Sequence, residues 1–464
     1  MGTPAGMFPR KSRRVLIVGG GYVGMYTALR LQRKLRRDIR RGDVEVMVVD
    51  PQSYMTYQPF LPEAAAGNLE PRHVVAPLRQ VLSRVRILNG QVVRVDHERH
   101  RATVQLVGAE LTEDGTRELD YDLLVMAAGS ISRTLPIPGL AERGIGFKTV
   151  AEAIYLRNHV IAQLDIAAST EDPALKARAL TFVFVGGGFA GVEALAELED
   201  MARGALKYYP GLRSEDMRWV LVEATDHILP EVGPDMGRWT VEALRRRGIE
   251  VKLETLLKSA EEGHVVLSDG DSFDAGTLVW TAGVKPHPVT RAGDLPLDEK
   301  GRLKATAELT LEGLDDVFAA GDNAAVPDLT RPGELCAPNA QHAVRQAKRL
   351  ADNVVATLRG RPLRPYRHAY AGSVASLGLH KGVAQIYGVK VRGRLAWFLH
   401  RTYHLSRIPT FNRKVRVVLD WTLALFFRRE IVSLGALQRP REQFVLAAGG
   451  GTSAHAEPSP PDQK

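Results

Sequence analysis

Hydrophobic and polar positions along the chain trace one pattern that occurs twice. Val15-Leu16-Ile17-Val18 is an unbroken apolar run read as a strand, and it feeds Gly19-Gly20-Gly21-Tyr22-Val23-Gly24 and then a helical stretch over residues 25–37. A second strand, residues 44–49, ends on Asp50. The same order returns downstream: Phe182-Val183-Phe184-Val185 runs into Gly186-Gly187-Gly188-Phe189-Ala190-Gly191, a helix follows from Val192, and a strand over residues 219–222 ends on Glu223. Each unit is followed by an apolar run closing on small residues, up to Gly129 after the first and Gly283 after the second, read as chain crossings beside a bound nucleotide. A third such run, Val317-Phe318-Ala319-Ala320-Gly321-Asp322, belongs by its sense to the first unit. The second unit is therefore expected to be inserted in the first.

The spacing of the glycines carries chemistry. The first of each set, Gly19 or Gly186, allows a tight turn; the second, Gly21 or Gly188, lets backbone approach a pyrophosphate; the third, Gly24 or Gly191, permits close packing of helix on strand. The helix N-terminus then faces the phosphates. One such motif is weak evidence, but two, each with a strand ending in an acid, imply two dinucleotide-binding domains. Asp50 and Glu223 stand where a carboxylate accepts from an adenosine ribose hydroxyl and repels a 2′-phosphate, so Glu223 favours NADH over NADPH. The interval from Gly191 to Glu223 exceeds the usual twenty or so residues, which suggests a loop inserted at residues 208–218. Asp322, after a strand and a glycine, can meet the ribityl chain of FAD or cap a helix beginning at Asn323.

Composition narrows the choice. A chain of 464 residues, 45% hydrophobic and 25% charged, holds two or three folded domains. The single cysteine, Cys336, excludes disulfides, a dithiol redox pair and multi-thiolate metal sites, and reads as an inert small residue. The thirteen histidines suggest no metal-ligand spacing, so no metal is expected. Residues 1–14 lack the apolar core of a secretory signal. The longest apolar stretch, residues 415–427, is broken by Asp420 and too short to cross a bilayer.

The net charge of +9 sits in two segments, residues 10–41 and 381–429. In the first, the arginines of residues 30–41 read as a solvated helix face; with no nucleic-acid-binding motif and no interleaved aromatics, nucleic acid is not an expected partner. In the second, Val415, Val418, Leu419, Thr422, Leu425 and Phe426 follow helical spacing, Val417, Trp421 and Ala424 widen the apolar face, and Arg413, Lys414, Arg416, Arg428 and Arg429 flank it. Such a helix suits the interface of an anionic membrane, with Leu395, Trp397, Phe398 and Tyr403 as further anchors.

The chain resembles the two-dinucleotide-binding-domain flavoproteins, and among them the type II NADH dehydrogenases, single-subunit NADH:quinone oxidoreductases that do not pump protons. The likeness rests on Tyr57-Gln58-Pro59-Phe60-Leu61-Pro62-Glu63, on Gly188-Phe189-Ala190-Gly191-Val192-Glu193, on Val222-Glu223-Ala224 with Ile228-Leu229-Pro230, and on Ala340-Gln341-His342-Ala343-Val344-Arg345-Gln346-Ala347. The resemblance implies non-covalent FAD near Gln58, Gln341 beside the flavin at the quinone site, and Glu193 as a carboxylate between the nicotinamide and quinone regions. As a first-turn helix residue, Glu193 would have its charge favoured by the helix dipole and opposed by an apolar pocket. Arg345 stands where the family has glutamine, so either recognition of the quinone head differs or the acceptor is another one.

The expected fold class is α/β, with two Rossmann-like domains and a C-terminal amphipathic helical membrane-anchoring segment. Residues 12–150 and 300–390 would form the FAD domain, 151–299 the NADH domain, 391–436 the membrane-association region and 441–464 a disordered tail. Family resemblance adds a homodimer and a peripheral position on the cytoplasmic side of the cell membrane. Two alternatives stay open: a soluble NAD(P)H reductase of a ferredoxin-type protein, and a flavin-bound interaction protein that responds to NADH.

Overall fold

The computed structural model describes residues 12–108, 115–368, 372–427 and 429–434. Two parallel sheets organise them. In the first, the strands Leu314–Ala319, Leu123–Met126, Arg13–Val18, Val44–Asp50 and Arg86–Asp96 lie side by side in that order, all parallel. Antiparallel strands Arg101–Leu106 and Thr116–Asp120 extend its edge. The second sheet runs Gly144–Gly146, Thr277–Trp280, Thr181–Val185, Arg218–Val222, Ile249–Lys252, again parallel. Parallel strands are covered on both faces, which is why Leu123–Met126 and Thr181–Val185 are buried at every position and show no alternation.

The chain leaves the first sheet after Met126, builds the second, and returns at Leu314–Ala319. The two passages run through Ser130–Ser132 and Val284–Pro286, which pair antiparallel. The domain limits therefore differ from 151 and 299: Gly144–Gly146 already belongs to the second sheet, and Val289 and Leu295 already sit in the first core. The crossing strands are too short to carry a hydrophobic period that would mark them. The basic residues at the end of the first helix are shared between two helices, Tyr22–Lys34 and Arg36–Arg41, and several are paired: Arg30 and Lys34 with Asp352, Arg41 with Asp38 and Asp43.

A third layer covers the helix Phe189–Ala205. It consists of an antiparallel sheet, Gly372–Ser376, Gly382–Ile386 and Val389–Arg392, followed by helices Gly393–Arg407 and Phe411–Phe426. Asp420, which interrupts the apolar run, is a docking residue: it accepts from the Glu70 backbone N–H at 3.1 Å and lies 2.6 Å from His73 Nδ1. Arg401 lies between the rings of Trp397 and Trp421, 4.1 and 4.7 Å from their centroids, and donates to Glu63 Oε2 at 2.8 Å, which also accepts from the Trp421 indole. Aromatic stacking and a second donor help offset the desolvation of this buried ion pair.

Val417, Trp421 and Trp397 thus turn inward and leave the outer face that residue spacing assigned to them. Val415, Val418, Leu419, Leu425 and Phe426 do face solvent, joined by Leu423, Leu395 and Phe398. Among the described residues no helix is long and apolar enough to cross a membrane. Arg428 and the expected tail at 441–464 lie outside the described residues, as do residues 1–11.

Candidate functional site

The two glycine turns have the same geometry. Gly19 and Gly186 take left-handed φ values of 99° and 116°. A Cβ on Gly24 would overlap the carbonyl oxygen of Gly19, and one on Gly191 that of Gly186. Over Gly21 and Gly188 there is open space, and these residues begin their helices with no side-chain cap. The helix Val150–Ser169, by contrast, carries a full capping box from Thr149 and Glu152. Two uncapped N-termini behind open glycine turns are cradles suited to pyrophosphates, so the residues fit a dinucleotide at each.

Each cradle is held by the acid that ends the next strand. Asp50 accepts from Gly20 N–H at 2.6 Å and Gln52 N–H at 2.7 Å, while burial pushes its carboxyl up from the usual range. Glu223 accepts from Gly187 N–H at 2.6 Å and from the Thr225 N–H and hydroxyl at 2.8 and 2.9 Å. A carboxylate has about four acceptor positions, so ribose hydroxyls can be added. Glu223→Gln keeps the acceptor for Gly187 and removes the charge. Like charges about 7 Å apart at an effective dielectric of about 20 repel by about 2 kcal/mol. The ratio of kcat/KM for NADPH over NADH should therefore rise at least about tenfold; an unchanged ratio in steady-state assays would remove the ribose role.

Asp322 lies at the seam between the sheets. The Ser130 hydroxyl donates to Asp322 Oδ2 at 2.7 Å, and Lys148 Nζ donates to Ser130 Oγ at 2.7 Å. Burial holds the Lys148 ammonium below its ordinary pKa, against the opposing pull of Asp322 and Glu152. Gln58 Nε2 donates to the Lys148 carbonyl at 3.2 Å. Gly129 and Gly283, both left-handed, leave open space beside the two crossings. Asp322 caps no α-helix: a single 3-10 turn, Gly321–Asn323, leads into the short strand Ala324–Ala325.

Gln341 and Glu193 are held by opposite ends of one strand, Gly372–Ser376. Gln341 Nε2 donates to the Gly372 carbonyl at 3.2 Å, and its Oε1 lies 3.1 Å from His368 Nε2. Burial, with Arg345 next, lowers the His368 pKa to about 4, so the ring is neutral near pH 7 and Nε2–H can donate. Glu193 accepts from Ser376 N–H at 2.8 Å and lies 3.2 Å from His400 Nε2, both side chains being buried. The four steps of about 3.3 Å from Gly372 to Ser376 put the two ends about 13 Å apart. Glu193 also departs from expectation: the helix starts at Phe189 and has no acid in its first turn, so Glu193 lies in the second turn, under the third layer.

Arg345 donates to the carbonyl of Gln341, one turn back on its own helix, at 3.0 Å. Its guanidinium lines a small cavity of about 180 Å³ with Lys348, Arg349, Tyr366 and His368. Cys336 is buried and its thiol is pushed up to about 11 by that burial. Lys148, Ser130, His368 and His400 escape a reading by motif. The one local signal was Thr149-Val150-Ala151-Glu152, a capping box that fixes where Lys148 must lie.

The family model for pyridine nucleotide-disulphide oxidoreductases matches residues 13–347. The type II NADH:quinone oxidoreductase of Staphylococcus epidermidis is 30% identical, covering 84% of this chain and 93% of the relative. That of Mycobacterium tuberculosis is 28% identical over 97% of both chains. The NDH2 of Plasmodium falciparum, solved in complex with NADH, superposes with a TM-score of 0.82 at 17% identity, covering 91% of this chain and 100% of the other, a likeness of fold. The chain belongs to the pyridine nucleotide-disulphide oxidoreductase family and, within it, to the type II NADH:quinone oxidoreductases.

Proposed function

We propose that this chain is an FAD-dependent NADH:quinone oxidoreductase working at a membrane surface. The observation that carries the reading is the combination of two nucleotide cradles with an exposed apolar helix face. Gly19, Gly21, Gly24, Asp50, Gln58, Gly129 and Asp322 would hold FAD; Gly186, Gly188, Gly191, Glu223 and Gly283 would hold NADH. When bound, FAD supplies the redox chemistry, taking a hydride from NADH and yielding two electrons to a quinone.

The chain's own residues position and insulate. Asp322 would meet the ribityl hydroxyls of bound FAD, its carboxylate positioned by the Ser130 hydroxyl, which Lys148 in turn holds. Tyr22, Tyr57 and Phe60 form an aromatic group that excludes water, and His404, kept neutral by burial, accepts the Tyr57 hydroxyl at Nδ1. Gln341 presents an amide fixed at both ends, and the Arg345 guanidinium, donating to the Gln341 main-chain carbonyl, braces the helix start that carries it. Glu193 Oε1 and His400 Nε2 lie 3.2 Å apart, both buried, and would place a carboxylate and an imidazole together on the quinone side of the site.

The apolar face of Phe411–Phe426, rimmed by Arg413, Lys414 and Arg416, rests on anionic lipid on the cytoplasmic side, where NADH is. The homodimer stays part of this reading on family resemblance. A ferredoxin-type reductase would have no use for that face. The test is NADH oxidation by flavin-loaded protein with a menaquinone or ubiquinone analogue: fast turnover is expected, falling about 10–100-fold in Gln341→Ala through misplacement of the acceptor. Flavin reduced by NADH but not reoxidised by any quinone would defeat the reading and point to a protein acceptor.

A further inference from the structure

Against the expectation that no histidines are spaced for a metal, folding brings His97, His100 and Asp316 together. The two histidines bracket the turn between strands Arg86–Asp96 and Arg101–Leu106, where His100 N–H donates to the His97 carbonyl at 2.9 Å and His100 takes a left-handed φ of 52°. The returning strand Leu314–Ala319 brings Asp316 against this turn. His97 Nε2 lies 3.4 Å from Asp316 Oδ1, and His100 Nδ1 lies 3.4 Å from Asp316 Oδ2. One donor atom from each of the three residues lies within 4.8 Å of the others.

These separations have a chemical meaning. A charge-assisted hydrogen bond would close to about 2.7–2.9 Å. Donors that share a tetrahedral ion at about 2.0–2.2 Å sit about 3.3–3.6 Å from one another. The two 3.4 Å contacts here run to different oxygens of Asp316, and side-chain rotation is needed to draw one donor from each residue, now within 4.8 Å, onto a single ion. The remaining nitrogen of His97, Nδ1, lies 3.1 Å from the hydroxyl of buried Tyr121, the kind of outer partner that fixes a ligating ring. The His97 side chain is 12% exposed and that of His100 47%, so one side of the cluster is open to water.

We propose that His97, His100 and Asp316 bind a divalent late first-row cation, with solvent completing its shell. Two imidazoles and a carboxylate suit Zn²⁺, whereas Mg²⁺ and Ca²⁺ prefer oxygen donors throughout. The ion clips the hairpin turn to the strand that runs on into Asp322, away from the residues assigned to chemistry. It is a structural clip and takes no part in electron transfer.

The test titrates full-length, flavin-loaded, chelator-stripped protein with Zn²⁺ by calorimetry, with Tm read in parallel. One saturable site per chain that raises Tm is expected. His100→Asn keeps a residue that tolerates left-handed φ, and should lose at least as much affinity as the 10–100-fold typical of an outer-partner change. Tyr121→Phe should lose about 10–100-fold with both imidazoles still present. Flavin content and metal-free Tm report the fold of each variant separately; if His100→Asn does not fold, Tyr121→Phe carries the test. No saturable Zn²⁺ binding to the wild type, or equal affinity in wild type and variant, overturns the proposal.

Discussion

Gly191→Ala should yield a protein that keeps its flavin and responds poorly to NADH, whereas Gly24→Ala should yield one that cannot hold flavin. In each case the added Cβ would overlap a carbonyl oxygen of the preceding turn, Gly186 or Gly19. That atom belongs to a residue already committed to left-handed φ, so it has little room to yield. Overpacking typically costs about 1–3 kcal/mol, and a clash with backbone falls at the upper end. If the helix shifts off its strand to relieve it, the phosphate cradle opens by the same movement. About 3 kcal/mol corresponds to roughly 100-fold in affinity. Flavin absorbance of the purified variants and stopped-flow reduction across NADH concentrations separate the two effects. A Gly191→Ala protein reduced at the wild-type rate by low NADH would show that the second cradle is not the nicotinamide site.

The second large effect concerns the membrane. Replacing Leu419, Leu423 and Phe426 together by glutamate should release the protein from anionic vesicles in a sedimentation assay. These side chains are 54%, 55% and 78% exposed, so the change removes apolar surface without opening the core. At about 1.5–3 kcal/mol for each large apolar side chain transferred from water, the loss is about 5–9 kcal/mol, or at least about 10³-fold in partitioning. Flavin reduction by NADH in solution should be unchanged, and turnover with quinone embedded in vesicles should collapse. Removing everything after Gly393 would be a poorer test, because it deletes His400, Arg401 and Val417, which are buried against Glu193, Glu63 and the second core. Undiminished sedimentation of the triple variant would mean that the attachment surface lies elsewhere.

What could be read from residues alone was what lies close together in sequence. Glycine turns, the strands before them and the acids after them are local, and Asp50 and Glu223 lie where the interval to each turn puts them. The seam at Asp322 joins residues 192 positions apart, and nothing near Ser130 announces its partner. The same holds for His400, which meets Glu193 only because a third layer folds over the second domain's helix. Hydrophobic spacing found the C-terminal helix but assigned Val417 and Trp421 to the wrong side, since an apolar residue facing protein and one facing lipid look alike in a period of 3.6. Asp420 was the clue: a carboxylate inside an apolar run marks the side that needs partners, here His73 and the Glu70 backbone.

The return of the chain to its first sheet also has a consequence for synthesis. The strand Leu123–Met126 acquires its neighbour Leu314–Ala319 only when roughly 190 further residues have been made, on the order of 10–40 s at about 5–20 residues per second. Through that interval the half-built sheet presents a bare, fully apolar edge strand, the kind that pairs with other chains. The intervening sheet, contiguous from Gly144–Gly146 to Ile249–Lys252 and Thr277–Trp280, can close on itself first. Nascent chains stalled before residue 314 should therefore recruit chaperones, and release should come only after the last parallel strand has emerged.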